Sequence, residues 1–166
     1  HGICLLHDAR RDRRVTRRLP MKRYRLLTKE ELDAVRPEFV RYLASEGLAA
    51  DDWKEKLAHH PEEVQECLEE FSQRFWEGAT SAIKCIEHTP SEGDVWMFQF
   101  EETEALLIRC VRRGDDITWS QGGKKFEQEA RGQEIFQLLE QGAKPFDPER
   151  FKACHEEMKA ATSPGR

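Results

Sequence analysis

The sequence predicts an α+β domain: N-terminal helices, an antiparallel β-meander of three to four strands, then two C-terminal helices. Three observations predict it. Apolar residues recur every three or four positions up to about residue 78, as on one helix face. Between about 82 and 120 the period falls to two. After 124 the helical spacing returns, and runs of helix and runs of strand kept apart along the chain specify α+β rather than α/β.

Thr28 followed by Glu31 is a capping box, with the hydroxyl at the N-cap and the carboxylate returning to the free amide. Leu32, Val35, Phe39 and Leu43 then share a face, Gly47 stops the helix, and Pro37 kinks it or marks a restart. Asp51 is the expected cap of a short helix carrying Trp53 and Leu57. Pro61, Glu62 and Glu63 suit the first turn of a third helix. Its stripe is Val64, Cys67, Leu68, Phe71 and Phe75, with Gly78 as the expected end and Trp76 placed to cover the sheet.

Residues 82–88 form the first expected strand. In 94–101, Trp96, Phe98 and Phe100 face one way and Val95, Met97 and Gln99 the other. In 105–112, Leu106, Ile108 and Cys110 oppose Ala105, Leu107 and Val111, and the acidic link 101–104 makes the pair a hairpin. Residues 116–120 add a short strand after Gly114-Asp115. With both strand faces apolar, helices are expected on one side and partial cover, or a partner, on the other. The closing helices are expected from about Lys124 to Gln141, ended by Gly142, and after Asp147-Pro148 with Phe151, Cys154, His155 and Met158 on one face.

Charge divides the chain. Residues 1–20 hold six arginines (Arg10, Arg11, Arg13, Arg14, Arg17, Arg18) against two aspartates, a formal +4. Of chain totals of 27 basic and 32 acidic residues, the rest carries 21 and 30, a formal −9. Residues 1–20 therefore read as an extension upstream of a start at Met21 or as a basic arm, 21–161 as one α+β domain, and 162–166 as a flexible tail. The five cysteines form no CxxC pair and fall on apolar faces, as in a reduced, cytoplasmic protein. No apolar run is long enough to span a bilayer, and none has the layout of a signal peptide.

The segments Lys22-Arg23-Tyr24-Arg25-Leu26-Leu27-Thr28-Lys29-Glu30-Glu31-Leu32, Glu38-Phe39-Val40-Arg41-Tyr42-Leu43-Ala44 and Ala50-Asp51-Asp52-Trp53 carry a resemblance, as do Phe71-Ser72 and Ile86-Glu87-His88. Over roughly 21–111 the chain resembles a small bacterial family known as a domain of unknown function. The resemblance implies a start near Met21 and an uninterrupted first helix, from which Pro37 departs. It implies no activity.

Candidate chemistry is sparse. Cys85 and His88 have Cys-x2-His spacing, and Cys154-His155 adds two possible zinc ligands. Positions i and i+3 of a strand face apart, however, and adjacent helical residues diverge by about 100°. No metal and no cofactor is therefore assigned. Glu87 and His88 are the best acid–base candidates, although strand neighbours also face apart; His59-His60 fits a turn before Pro61. Ser120-Gln121-Gly122-Gly123-Lys124-Lys125 is the most phosphate-like stretch but lacks the P-loop ending, so a strand-to-helix loop is expected there.

The preferred function is a non-enzymatic protein-binding adaptor or regulatory protein, anchored by exposed Trp53, Trp96 and Trp119, with Trp76 a fourth aromatic. A nucleic-acid machine accessory docked through the arginine arm and Lys124-Lys125, with Arg112 and Arg113 nearby, is the alternative. A small enzyme using His88 and Glu87 comes third.

Overall fold

The computed structural model describes residues 23–163. The arginines at 10, 11, 13, 14, 17 and 18, Cys4 and the Met21 boundary lie outside the described residues. Two compact units follow one another along the chain, the first ending at Gln73 and the second starting at Arg74.

The first unit is helical. The Thr28 amide donates to Glu31 Oε1 (2.9 Å) and the Glu31 amide to Thr28 Oγ1 (3.1 Å), which starts α1 (Lys29–Ala34) as expected. Val35, at φ −109°, interrupts the helix, and α2 (Arg36–Ser45) restarts with Pro37 in its first turn, where no amide is needed. Gly47, at φ +78°, then takes the left-handed conformation that ends it. α3 (Ala50–His59) is not capped by Asp51: the Asp52 carboxylate one residue on accepts from the Ala49 amide (3.0 Å), leaving Asp51 in the first turn. Phe39, Tyr42, Leu43 and Phe71 form the core of this unit, with Trp53 edge-on to Phe39 at 5.4 Å. Leu57, expected beside Trp53, is 54% exposed. The incoming chain is fastened by side chains that imitate a strand. Gln73 Oε1 accepts from the Arg23 and Tyr24 amides, Gln73 Nε2 donates to the Tyr24 carbonyl, and Ser72 Oγ accepts from the Leu27 amide.

α4 (Pro61–Ala82) passes through Gly78 without ending, a correction to the expected stop. A glycine inside a helix costs about 1 kcal/mol, which the hydrogen bonds of the surrounding turns and the burial of Trp76 offset.

The second unit is built on an antiparallel sheet of β1 (Cys85–Ser91), β2 (Asp94–Phe100), β3 (Glu104–Arg113), β4 (Asp116–Lys125) and β5 (Lys144–Pro145), in spatial order β4-β3-β2-β1-β5. The first four strands are the expected meander. β5 adds a two-residue edge that no periodicity announces. β4 is twice the expected length, and the predicted helix from Lys124 is corrected: residues 120–125 are strand, and α5 spans Arg131–Glu140 after one 3-10 turn. α6 (Pro148–Thr162) is capped by Asp147, which accepts from the Glu149 amide (3.0 Å). Thr162, expected in the tail, is its last residue, and 164–166 lie outside the described residues.

Each sheet face has its own helix. Cys85, Met97 and Ile108 pack on Phe151 and Met158 of α6, with Leu106, Cys110 and Trp119 around them. Ile86, Phe100 and Ala105 pack on Ile135 of α5, with Phe98, Phe126 and Leu138 around them. The alternation expected of β2 and β3 is thus the one observed.

Arg131, at the start of α5, reaches the Ile83 carbonyl (2.7 Å), the Glu101 carbonyl (2.9 Å), and the Thr80 and Phe100 carbonyls (both 3.3 Å). One guanidinium thereby satisfies chain ends left by α4 and β2.

Candidate functional site

The α5 face of the sheet carries a pocket and, beside it, a polar row. Register sets the row: His88 stands opposite Trp96, Trp96 opposite Arg109, and Arg109 opposite Ser120, one residue from each of β1 to β4. Residues directly opposite in an antiparallel pair share a face. Arg109 is the centre of the row. Its Nε and Nη2 donate to the two Asp94 carboxylate oxygens, both at 2.9 Å, and its Cζ lies 4.6 Å from the Trp96 ring centroid. The planar fork grips the carboxylate and stacks on the indole at once, which a lysine cannot do. Arg109 holds the Asp94 carboxyl below the usual carboxylate range, and Asp94 raises Arg109 in return. The Trp96 indole N–H is buried near Asp94, which it also helps to lower, without completing a hydrogen bond of good geometry.

The pocket lies farther along the same face, between the sheet and α5. Its volume is about 260 Å³. Phe98, Phe100, Ala105 and Leu107 form its floor, Phe126 and Leu138 its apolar walls, and Gln137 and Gln141 its polar margin. Lys124 Nζ donates to both Glu134 oxygens at 2.7 Å and bridges β4 to α5 beside it. Gly122 stands opposite Leu107, and nothing lies within 4 Å of the place a Cβ would take there. No β4 side chain therefore stands directly opposite Leu107, and β4 lines the pocket through Gly123 and Lys124.

The residues singled out from sequence are dispersed. Glu87 and His88 do not form a dyad. Glu87 is on the α6 face, 3.5 Å from Arg150, and His88 is on the α5 face in the row. The strand period separates them. The Cys85, His88, Cys154 and His155 set does not assemble, and no cluster of three metal-ligating side chains exists among the described residues. Cys85 is 1% exposed, and burial pushes its thiol up to about 11; burial also raises Cys67 and Cys110. All four described cysteines are free. His60 closes α3, its amide donating to the Lys56 carbonyl, as the turn reading expected.

Of the four tryptophans, one is buried and the other three are half-buried rather than fully exposed. Trp76 is buried edge-on against Phe136 at 4.9 Å. Trp53 belongs to the first unit, and Trp96 and Trp119 sit on opposite sheet faces, all three half-buried. Lys124 and Lys125 are on a strand rather than at a helix start, and Lys124 is ion-paired. Arg109, Asp94, Phe126 and Arg131 went unnoticed in the sequence. The alternation of β2 and β3 already places Arg109 on the face of Phe98, and an arginine on an apolar face is a readable sign of a partly buried ion pair.

The site belongs to an α+β protein whose meander sheet opens an apolar hollow on one face. Residues 21–117 match the family of unknown function DUF6495, and the chain belongs to that family. The match ends at the start of β4, so α5, which walls the pocket, lies beyond it. No curated protein and no solved structure matches the chain.

Proposed function

We propose that this protein is a non-enzymatic, cytoplasmic protein-binding module of a bacterial cell, an adaptor or regulator, and that its pocket receives one apolar side chain of a partner polypeptide. The observation that carries the reading is the hollow over Leu107. It is lined by three phenylalanines and two leucines, bounded by amide side chains and an ion pair, and lies at the small end of ligand pockets. About 260 Å³ suits a single aromatic or branched aliphatic side chain better than a cofactor. An apolar anchor in a desolvated hollow with a polar rim is how a few residues dominate a protein interface. The neighbouring Trp96–Arg109 stack offers a rigid surface to the residues flanking that anchor. No helix among the described residues is long and apolar enough to cross a membrane, which agrees with a partner met in water.

The test is selection from a displayed random-peptide library on the full chain. Enriched peptides are expected to share one apolar anchor and to lose at least about tenfold in affinity, roughly 1.4 kcal/mol, against Leu107→Trp, which fills the hollow. Enrichment without an anchor, or equal binding to that variant, refutes the reading.

A further inference from the structure

We propose that β4 is a homodimerisation edge, on whose outer side a second copy of this chain lays its own β4 antiparallel, joining two five-stranded sheets into one. The two edges of the sheet are unlike. β5 is two residues long and ends in Pro145, a blunted edge. β4 is ten residues long, without proline, and pairs with β3 through ten consecutive positions without a bulge. Natural sheets seldom leave such an edge unprotected.

The turn fixes which groups face outward. Arg113 and Asp116 close a two-residue loop in which Gly114 has φ +60° and Asp115 does not have positive φ, a type II′ hairpin turn. Its closing pair is hydrogen-bonded, so the even-numbered residues of β4 turn their backbone groups toward β3. Those of Ile117, Trp119, Gln121, Gly123 and Lys125 point away, and no strand takes them up among the described residues.

The sequence of β4 indicates a second copy as the occupant. Its charge is self-complementary: Asp116 at one end, Lys124 and Lys125 at the other. Antiparallel pairing centred on Ser120 sets Asp116 opposite Lys124 of the second copy, where it joins the Lys124–Glu134 pair. The same register sets Ile117, 44% exposed, over Gly123 of the second copy, a large side chain over a vacant position. It forms roughly eight new backbone hydrogen bonds. A two-fold axis normal to the sheet keeps both α5 faces on one side. If the pocket reading holds, the dimer then presents two pockets side by side, which strengthens binding to a partner carrying two anchors.

Sedimentation equilibrium of the full chain tests the dimer without reference to the pocket. The expected mass is twice the 19.4 kDa of the chain. Gln121→Pro removes an outward amide and leaves the β3 pairing intact, so a folded monomer is expected. Asp116→Lys opposes like charges and is expected to weaken association at least about tenfold. Ser120→Cys places two thiols at a non-hydrogen-bonded pair on the axis, where strands approach closest. A disulfide-linked dimer absent from the parent protein is expected on mild oxidation. A monomer at about 100 µM, or a dimer indifferent to both Gln121→Pro and Asp116→Lys, overturns the proposal. A monomer whose outward β4 amides resist hydrogen exchange would place another segment of the chain on that edge and would overturn it too.

Discussion

Replacing Gly93 with alanine isolates how tightly the β1–β2 turn is pressed against β3. Gly93 has φ +77°, and its carbonyl accepts from the Arg112 amide at 2.7 Å. A Cβ built there lies 2.5 Å from the Arg112 carbonyl oxygen, closer than real Cβ atoms come, and the obstacle is backbone that cannot swing aside. Gly114, in the β3–β4 turn, also has positive φ, but nothing lies within 4 Å of its Cβ position. Gly114→Ala therefore carries only the left-handed penalty, about 1–2 kcal/mol. Gly93→Ala carries that penalty, the loss of most of one backbone hydrogen bond worth about 1 kcal/mol, and the displacement of one turn from the strand beside it. The expected total is roughly 3 kcal/mol, at least about 1 kcal/mol beyond Gly114→Ala. Urea unfolding of both variants, compared at constant m-value, measures the difference. Equal losses would show that the turn yields freely and that the close approach of Gly93 to Arg112 does not constrain the sheet.

Two further perturbations follow from single side chains. Arg131→Met keeps much of the stem but leaves the Ile83 and Glu101 carbonyls without their charged donor; a loss of about 2–3 kcal/mol is expected in thermal or urea unfolding. A change below 0.5 kcal/mol would mean that water replaces the guanidinium. Glu31 is held at about 2, first by its hydrogen bonds from Arg25, at 2.7 and 3.1 Å, and further by Thr28. Its folded value lies below its unfolded one, so the stabilisation is complete above about pH 5 and vanishes as pH falls through about 2. The pair is about one-third exposed, and solvent screening limits its worth to about 0.5–1 kcal/mol. Glu31→Gln is expected to cost that much at pH 7 and nothing near pH 1.5. A difference that persists in acid would assign the loss to the capping geometry instead of the charge.

The local rules and the long-range ones divided this protein between them. The capping box at Thr28–Glu31, the break at Pro37, the cap at Asp147 and the period-two faces of β2 and β3 rest on neighbours within about four residues, and the sequence alone determines them. Gly78 and residues 121–125 went the other way. A mid-helix glycine reads as a stop, and Gly-Gly-Lys-Lys reads as a loop, because local propensity is weak at both places. The burial of Trp76 against Phe136 carries α4 past Gly78, and unbroken pairing with β3 extends β4 to Lys125. The Glu87–His88 pairing failed on geometry that the sequence already contained, since strand neighbours point to opposite faces. The pocket was not legible. It depends on α5 folding back over Phe98 and Leu107, which belong to different strands, and no local pattern in either strand marks that closure. Backbone periodicity is local, whereas a cavity is a relation between surfaces brought together only when the chain has closed.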